Sequence, residues 1–228
     1  MPKVITSKRS ETQILQENRL LRKENEILRG QIKILEENIK IDHLTGIGNR
    51  KAFSESIIRE VSRLVRTPGS LILVFSDLDK FKMLNDTMGH QAGDEALEAV
   101  SRTLNSALKN FSEKLYRSLR ATDYVFRLGG DEFAVLAPVF PTLGVPQTVA
   151  LEGASQKIKN RIIEALEAEN SKRRKAGKIP IEMSIGLGYL KGPLSRSTDI
   201  NAVKAELIIQ ADRSMYKEKR RSNMLRRS

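Results

Sequence analysis

The sequence predicts a mixed α/β (α+β) domain, with a mainly antiparallel sheet flanked by helices and a separate long helix in front. Three observations carry this. Residues 11–41 hold a heptad pattern. Short β-rich apolar runs, such as Leu71-Ile72-Leu73-Val74-Phe75, alternate with longer segments of helical period. Gly129-Gly130-Asp131-Glu132 separates two such runs at hairpin spacing.

In the heptad, Ile14, Leu21, Leu28 and Leu35 fall at d, and Asn18, Asn25, Ile32 and Ile39 at a. Asparagine at a is best satisfied by its counterpart on a parallel, in-register partner, so the pattern predicts a homodimer through a parallel coiled coil. Glu17 and Glu24 at g then face Arg22 and Arg29 at e of the other chain, exposed pairs worth about 0.2 to 1 kcal/mol each. Leu20, Ile27, Ile34 and Ile41 at c widen the stripe, which leaves an amphipathic helix packed on its own domain as the alternative. A zipper-type DNA-binding protein is excluded because only Lys3, Lys8 and Arg9 precede the heptads, far short of a basic helix.

Turn formers in Asp42-His43-Leu44-Thr45-Gly46-Ile47-Gly48-Asn49-Arg50 end that helix and set a boundary. Residues 1–41 are thus expected as the helix and 42–228 as the catalytic domain. After the boundary the pattern gives a helix at 50–66, a buried strand at 71–75, and helices at 80–88 and 93–110. Strands at 123–128 and 132–137 follow, then a helix at 154–170, a strand at 181–190 and a helix at 201–221.

A length of 228 residues suits one catalytic unit plus an appendage, and 39% apolar with 30% charged residues suits a folded chain. No apolar stretch approaches the roughly 20 residues that span a bilayer, and Met1-Pro2-Lys3-Val4 lacks a signal-peptide core, so the cytoplasm is the expected address. The absence of cysteine excludes disulfides, Cys-zinc sites and thiol catalysis, and two histidines make a poor metal centre. Chemistry must rest on carboxylates, amides and bases. The formal charge of +12 favours polyanions without separating nucleotides from nucleic acid. Runs such as Lys172-Arg173-Arg174-Lys175 and Arg226-Arg227 read as solvated surface.

Three carboxylates stand where a sheet offers side chains to a ligand: Asp77, read as just beyond the first strand, and Asp131 and Glu132 at the hairpin tip. Mg2+ is commonly held by one or two carboxylates plus substrate phosphates, and Asp77 with Asp131 supplies that pair. Each has a bland alternative, a helix cap for Asp77 and an ordinary turn for the Gly-Gly-Asp-Glu stretch. A calcium loop fails because Phe81 occupies the place of an oxygen ligand.

Together these residues resemble the GGDEF family of diguanylate cyclases. Gly129-Gly130-Asp131-Glu132-Phe133 matches its signature, with Arg127-Leu128 before it. In family order stand Asp42-x-Leu44-Thr45-Gly46-x-x-Asn49-Arg50 and Asp77-x-Asp79-x-Phe81-Lys82-x-x-Asn85-Asp86-x-x-Gly89-His90-x-x-Gly93-Asp94. Met183-Ser184-Ile185-Gly186 and Ala211-Asp212-x-x-Met215-Tyr216-x-x-Lys219 close the pattern, so the likeness covers about residues 40–221.

The resemblance implies a palm-like nucleotide cyclase fold that joins two GTP molecules into cyclic di-GMP, with Mg2+, or Mn2+ in its place, as cofactor. Asp77, the Leu78 carbonyl and Asp131 would hold the metal, and Glu132 or Asp131 would deprotonate the attacking ribose hydroxyl. Lys82, Lys219 and the backbone amides of Lys80 and Phe81 would bind phosphates, with Gly129 and Gly130 lying against the substrate. Asn85 and Asp94 would select guanine and His90 would complete the pocket. Arg120 and Asp123 match the family's Arg-x-x-Asp inhibitory site for the product. Two departures stand out: an apparent insertion around Asn110-Phe111-Ser112-Glu113-Lys114, and Arg220-Arg221-Ser222-Asn223 in place of a Gly-Arg-Asn ending. The competing readings are a noncatalytic cyclic di-GMP receptor, a coiled-coil adaptor, and a nucleic-acid polymerase, for which the chain has little room.

Overall fold

The computed structural model describes residues 11–109 and 124–225, and the chain divides into two compact units, Met1–Ile39 and Lys40–Ser228. The first unit holds helix α1 (Glu11–Asn38), which at about 1.5 Å per residue is roughly 42 Å long. Its a and d side chains Ile14, Leu21, Leu28, Ile32 and Leu35 are exposed on the single chain, as are Leu20 and Ile27 at c. Among the described residues no helix is long and apolar enough to cross a membrane.

The second unit runs α2 (Arg50–Arg66), β1 (Ser70–Leu78), α3 (Phe81–Met88), α4 (His90–Lys109), β2 (Val125–Gly129), β3 (Glu132–Val139), α5 (Gln147–Lys175), β4 (Met183–Lys191) and α6 (Ile200–Leu225). The four strands form one antiparallel sheet in the order β2-β3-β1-β4. Alternation along β1 explains both layers around it. Leu71 and Leu73 join Phe53, Ile57, Val61, Leu207 and Ala211 in the cluster under α2 and α6. Ile72 and Val74 join Leu97, Val100, Leu104, Ile158 and Ile162 in the cluster under α4 and α5. A strand covered on both faces must be apolar at successive positions, which is why residues 71–75 form an unbroken run.

Local chemistry fixes the ends of these elements. Asn49 caps α2, its Oδ1 accepting from the amides of Lys51 at 3.0 Å and Ala52 at 3.1 Å. The Asp42–Asn49 loop covers the free edge of β2, where the Gly48 amide donates to the Val125 carbonyl at 3.0 Å and the Gly48 carbonyl accepts from the Arg127 amide at 2.8 Å.

Several boundaries differ from the sequence expectation. β1 continues through Asp77 to Leu78 because it is paired on both sides, so Asp77 lies within the strand, opposite Glu132 on β3 and Ser184 on β4. α5 begins at Gln147 rather than 154, running straight through Gly153, where an added Cβ would meet open space. The Gln147 side chain pins this start by donating to the carbonyls of Gly69 at 2.6 Å and Gly192 at 2.8 Å. α4 begins at His90, straight after Gly89, whose φ of 83° turns the chain from α3.

A close helix-to-sheet contact, between α6 and β4, sets up the site. A Cβ on Gly186 would overlap the Ala211 carbonyl and the Met215 backbone, and one on Gly188 would come 2.6 Å from the Leu207 carbonyl. α6 therefore lies with its backbone directly on β4, one turn before Lys219. Gly186→Ala is expected to cost about 1–3 kcal/mol by forcing the helix away. A thermal midpoint equal to that of the parent protein would show that this contact yields freely.

Candidate active site at the β1–β3 end of the sheet

The Gly-Gly turn joining β2 to β3 needs glycine at both positions, with φ of 142° at Gly129 and 56° at Gly130. Two arginines hold it. Arg127 donates from Nε and Nη2 to the Gly130 carbonyl at 3.0 and 2.9 Å, and its Nη1 reaches Asp42 Oδ1 at 3.2 Å. Burial works against the Asp42 charge. The hydrogen bonds from Thr45 at 2.9 and 2.6 Å and the Arg127 guanidinium outweigh that and hold its carboxyl below the usual range. Arg50 donates from Nε to the Leu128 carbonyl at 2.7 Å and lies 3.7 Å from the exposed Glu132 carboxylate.

This grip sets Asp131 beside Asp77. The Leu78 amide donates to the Asp131 carbonyl at 3.3 Å, extending the strand pairing to the turn. Lys219, delivered by α6, donates from Nζ to Asp77 Oδ1 at 2.5 Å. Burial, and then the Asp77 charge, raise the Asp131 carboxyl above its ordinary value. Burial pulls Lys219 down, but its bond to Asp77 and the charges of Asp77, Asp79 and Asp131 carry it above its ordinary value. Asp77 and Asp131 thus share a pocket with the Lys219 ammonium, and Asp79 lies within reach of its charge.

Such a pocket fits a hard divalent cation, which binds oxygen donors and relieves carboxylate repulsion. Among the described residues no group of three or more metal-binding side chains is preassembled. An ion of the Mg2+ type keeps waters and takes phosphate oxygens from its substrate, so the one or two carboxylates it needs are available in Asp77 and Asp131.

Beyond β1 the chain turns at Lys80, a non-glycine residue in the left-handed region with φ 61° and ψ 25°. The start of β4 clamps this turn: Ser184 Oγ donates to Asp79 Oδ1 at 2.7 Å and the Asp79 amide donates to the Glu182 carbonyl at 2.9 Å. Lys80 Nζ also lies 3.8 Å from Glu182. The N-terminus of α3 has no side-chain cap, and the intrahelical bonds begin with the Leu84 amide on the Lys80 carbonyl at 3.0 Å, so the first-turn amides ahead of it are the ones an anion could use. Backbone strain at such a turn is typical of sites where a ligand is held.

The structure brings Asp77, Leu78, Asp131 and Lys219 into contact, with Gly129, Gly130 and Glu132 on the same turn and Lys80, Phe81 and Lys82 on the adjoining one. Asn85 lies on α3 against Gly93 of α4, and His90 and Asp94 are exposed on α4. Among the described residues Lys82, His90 and Asp94 make no hydrogen bond or ion pair to the carboxylate pocket. Arg120, Asp123 and the stretch 110–114 lie outside the described residues. Sequence reasoning assigned no role to Arg50, Asp42, Ser184 or Arg127, although all four stand in its motif blocks.

The family model described as "Diguanylate cyclase, GGDEF domain" matches residues 39–224. The chain is 44% identical over 95 residues to diguanylate cyclase DgcS of Shewanella oneidensis, covering 42% of this chain and 28% of that protein. It is 32% identical over 183 residues to diguanylate cyclase DosC of Escherichia coli, covering 80% of this chain and 34% of that one. The chain therefore spans about a third or less of these curated relatives. The coiled coil and GGDEF domain of DgcB from Caulobacter crescentus, crystallised with c-di-GMP, has the same fold. Its TM-score is 0.57 at 24% identity, covering 90% of this chain and 94% of that one. The GGDEF domain of DgcB alone, also with c-di-GMP, gives 0.53 at 25% identity, covering 80% and 91%.

Proposed function

Because this chain belongs to the GGDEF-domain family of diguanylate cyclases, we propose that it joins two GTP molecules into cyclic di-GMP as a homodimer, each subunit presenting one GTP to the other. The observation that carries this reading is the Asp77–Asp131–Lys219 pocket at the mouth of the glycine turn. The 3′-hydroxyl oxygen of one ribose attacks the α-phosphorus of the other GTP. A P–O bond forms as the bond to pyrophosphate breaks, and the hydroxyl proton passes to a carboxylate, Asp131 or Glu132. Asp77, the Leu78 carbonyl and Asp131 would hold Mg2+, which when bound neutralises charge on the triphosphate.

The remaining residues bind and orient. Lys219 exchanges Asp77 for a phosphate oxygen, and Lys82 with the free amides of Lys80 and Phe81 grips the others. Asn85 and Asp94 meet the guanine edge, with His90 at its side. Arg120 and Asp123 would bind the product and restrain the enzyme, in the cytoplasm where GTP is supplied.

Incubation with GTP and Mg2+, followed by chromatography, is expected to yield cyclic di-GMP and pyrophosphate. Unchanged GTP with retained cyclic di-GMP binding would establish the noncatalytic receptor instead. Arg120→Ala is expected to weaken cyclic di-GMP about ten- to a hundredfold in calorimetry, the factor for a lost charge-assisted contact, while turnover persists. Equal product affinity in both proteins would dismiss the inhibitory site.

A further inference from the structure

Gly93 is buried in the first turn of α4, in ordinary helical backbone, so no turn or positive φ requires glycine there. The room left by its missing side chain is filled by one neighbour. A Cβ on Gly93 would overlap Oδ1 of Asn85 and stand 3.0 Å from Cγ of the same carboxamide, with the Phe81 ring at 3.3 Å. Asn85 Oδ1 is buried and accepts no hydrogen bond among the described residues. A buried acceptor without a donor is costly, so the carboxamide is held there by the shape of the seat and not by a hydrogen bond among the described residues.

We propose that Gly93 is a specificity-determining position, its empty Cβ site being the seat that holds the Asn85 carboxamide in the orientation that reads the base of the bound nucleotide. This deepens the GTP reading above and rests on it. Alanine is the better helix former, so backbone conformation gives no reason for glycine. Only the side chain across the α3–α4 corner does. Asp94, the next residue on α4, is the second residue assigned to the base, so seat and second contact sit on one helical turn.

The test is a double-mutant cycle on binding of a non-hydrolysable GTP analogue with Mg2+, measured by calorimetry beside the inosine analogue and free triphosphate. Gly93→Ala is expected to weaken the GTP analogue about tenfold, the factor for one impaired hydrogen bond. It should narrow the preference for guanine over hypoxanthine and leave triphosphate affinity unchanged, which a merely structural defect would not do. In an Asn85→Ala background, where the seat is vacated and the added methyl fits, the same change should add nothing. Parent-like binding by Gly93→Ala, or an equal loss in both backgrounds, overturns the assignment. Failure of the unaltered protein to bind the GTP analogue overturns the GTP reading itself, and this inference with it.

Discussion

Asp131→Asn is expected to lower turnover by about 10³-fold or more while raising the thermal midpoint of the metal-free protein at neutral pH. Both effects come from one feature, a carboxylate that is partly desolvated and set beside Asp77. Asparagine keeps the shape and removes the charge, so metal affinity and base capacity go together. The stability change follows from proton linkage. The folded-state value of Asp131 lies above the ordinary carboxylate value of 3.8. Its contribution to stability is present below the ordinary value and is lost as pH rises through the raised one. At neutral pH the charged form therefore opposes folding, and the variant escapes that penalty. As pH falls through the raised value, Asp131 in the parent protein gains its proton, so the difference in midpoint should shrink. Undiminished product formation by the folded variant would refute the metal assignment. A lower midpoint at neutral pH would refute the electrostatic account.

Elements covered on both faces were the easiest to read. The run Leu71–Phe75 announced a central strand because each side chain enters one of two cores. The Gly-Gly turn announced a hairpin because only glycine tolerates φ of 142° and 56° there without strain. The start of α5 was not legible, since it is fixed by the Gln147 bonds to the carbonyls of Gly69 and Gly192, which lie far away in sequence. In the site, the residue types were legible and their partnerships were not. Asp77 and Lys219, 142 residues apart, meet because Gly186 and Gly188 let α6 lie against β4. Arg127 meets Asp42 because the Asp42–Asn49 loop closes the edge of β2. Ser184 meets Asp79 through the β1–β4 register. Such pairs depend on packing and register, which periodicity does not encode.

Removing residues 1–39 is expected to lower turnover per molecule about 10²-fold or more at nanomolar protein, with recovery as concentration rises. The cut leaves Lys40 in place, whose carbonyl accepts from the Asn49 amide at 2.9 Å and whose ammonium pairs with Glu55 at 2.6 Å. If each GGDEF domain holds one GTP, two must meet face to face, and without α1 that meeting becomes bimolecular. The a and d side chains of α1 are exposed, and in the proposed dimer they would form the seam with a parallel partner. On the single chain the Asn25 amide turns back to the Leu21 carbonyl at 3.0 Å. In a parallel, in-register pair that amide has its counterpart as a second partner, which discriminates against shifted or antiparallel pairings. Replacing Asn18 and Asn25 with isoleucine should therefore tighten association, seen by sedimentation, while relaxing register or oligomer state. Any loss of turnover in that variant reflects geometry, and raising its concentration should not restore it. The truncated form fails in the opposite way, by dilution alone. Full activity across dilution from a truncated protein that sediments as a monomer would remove α1 as the assembly device.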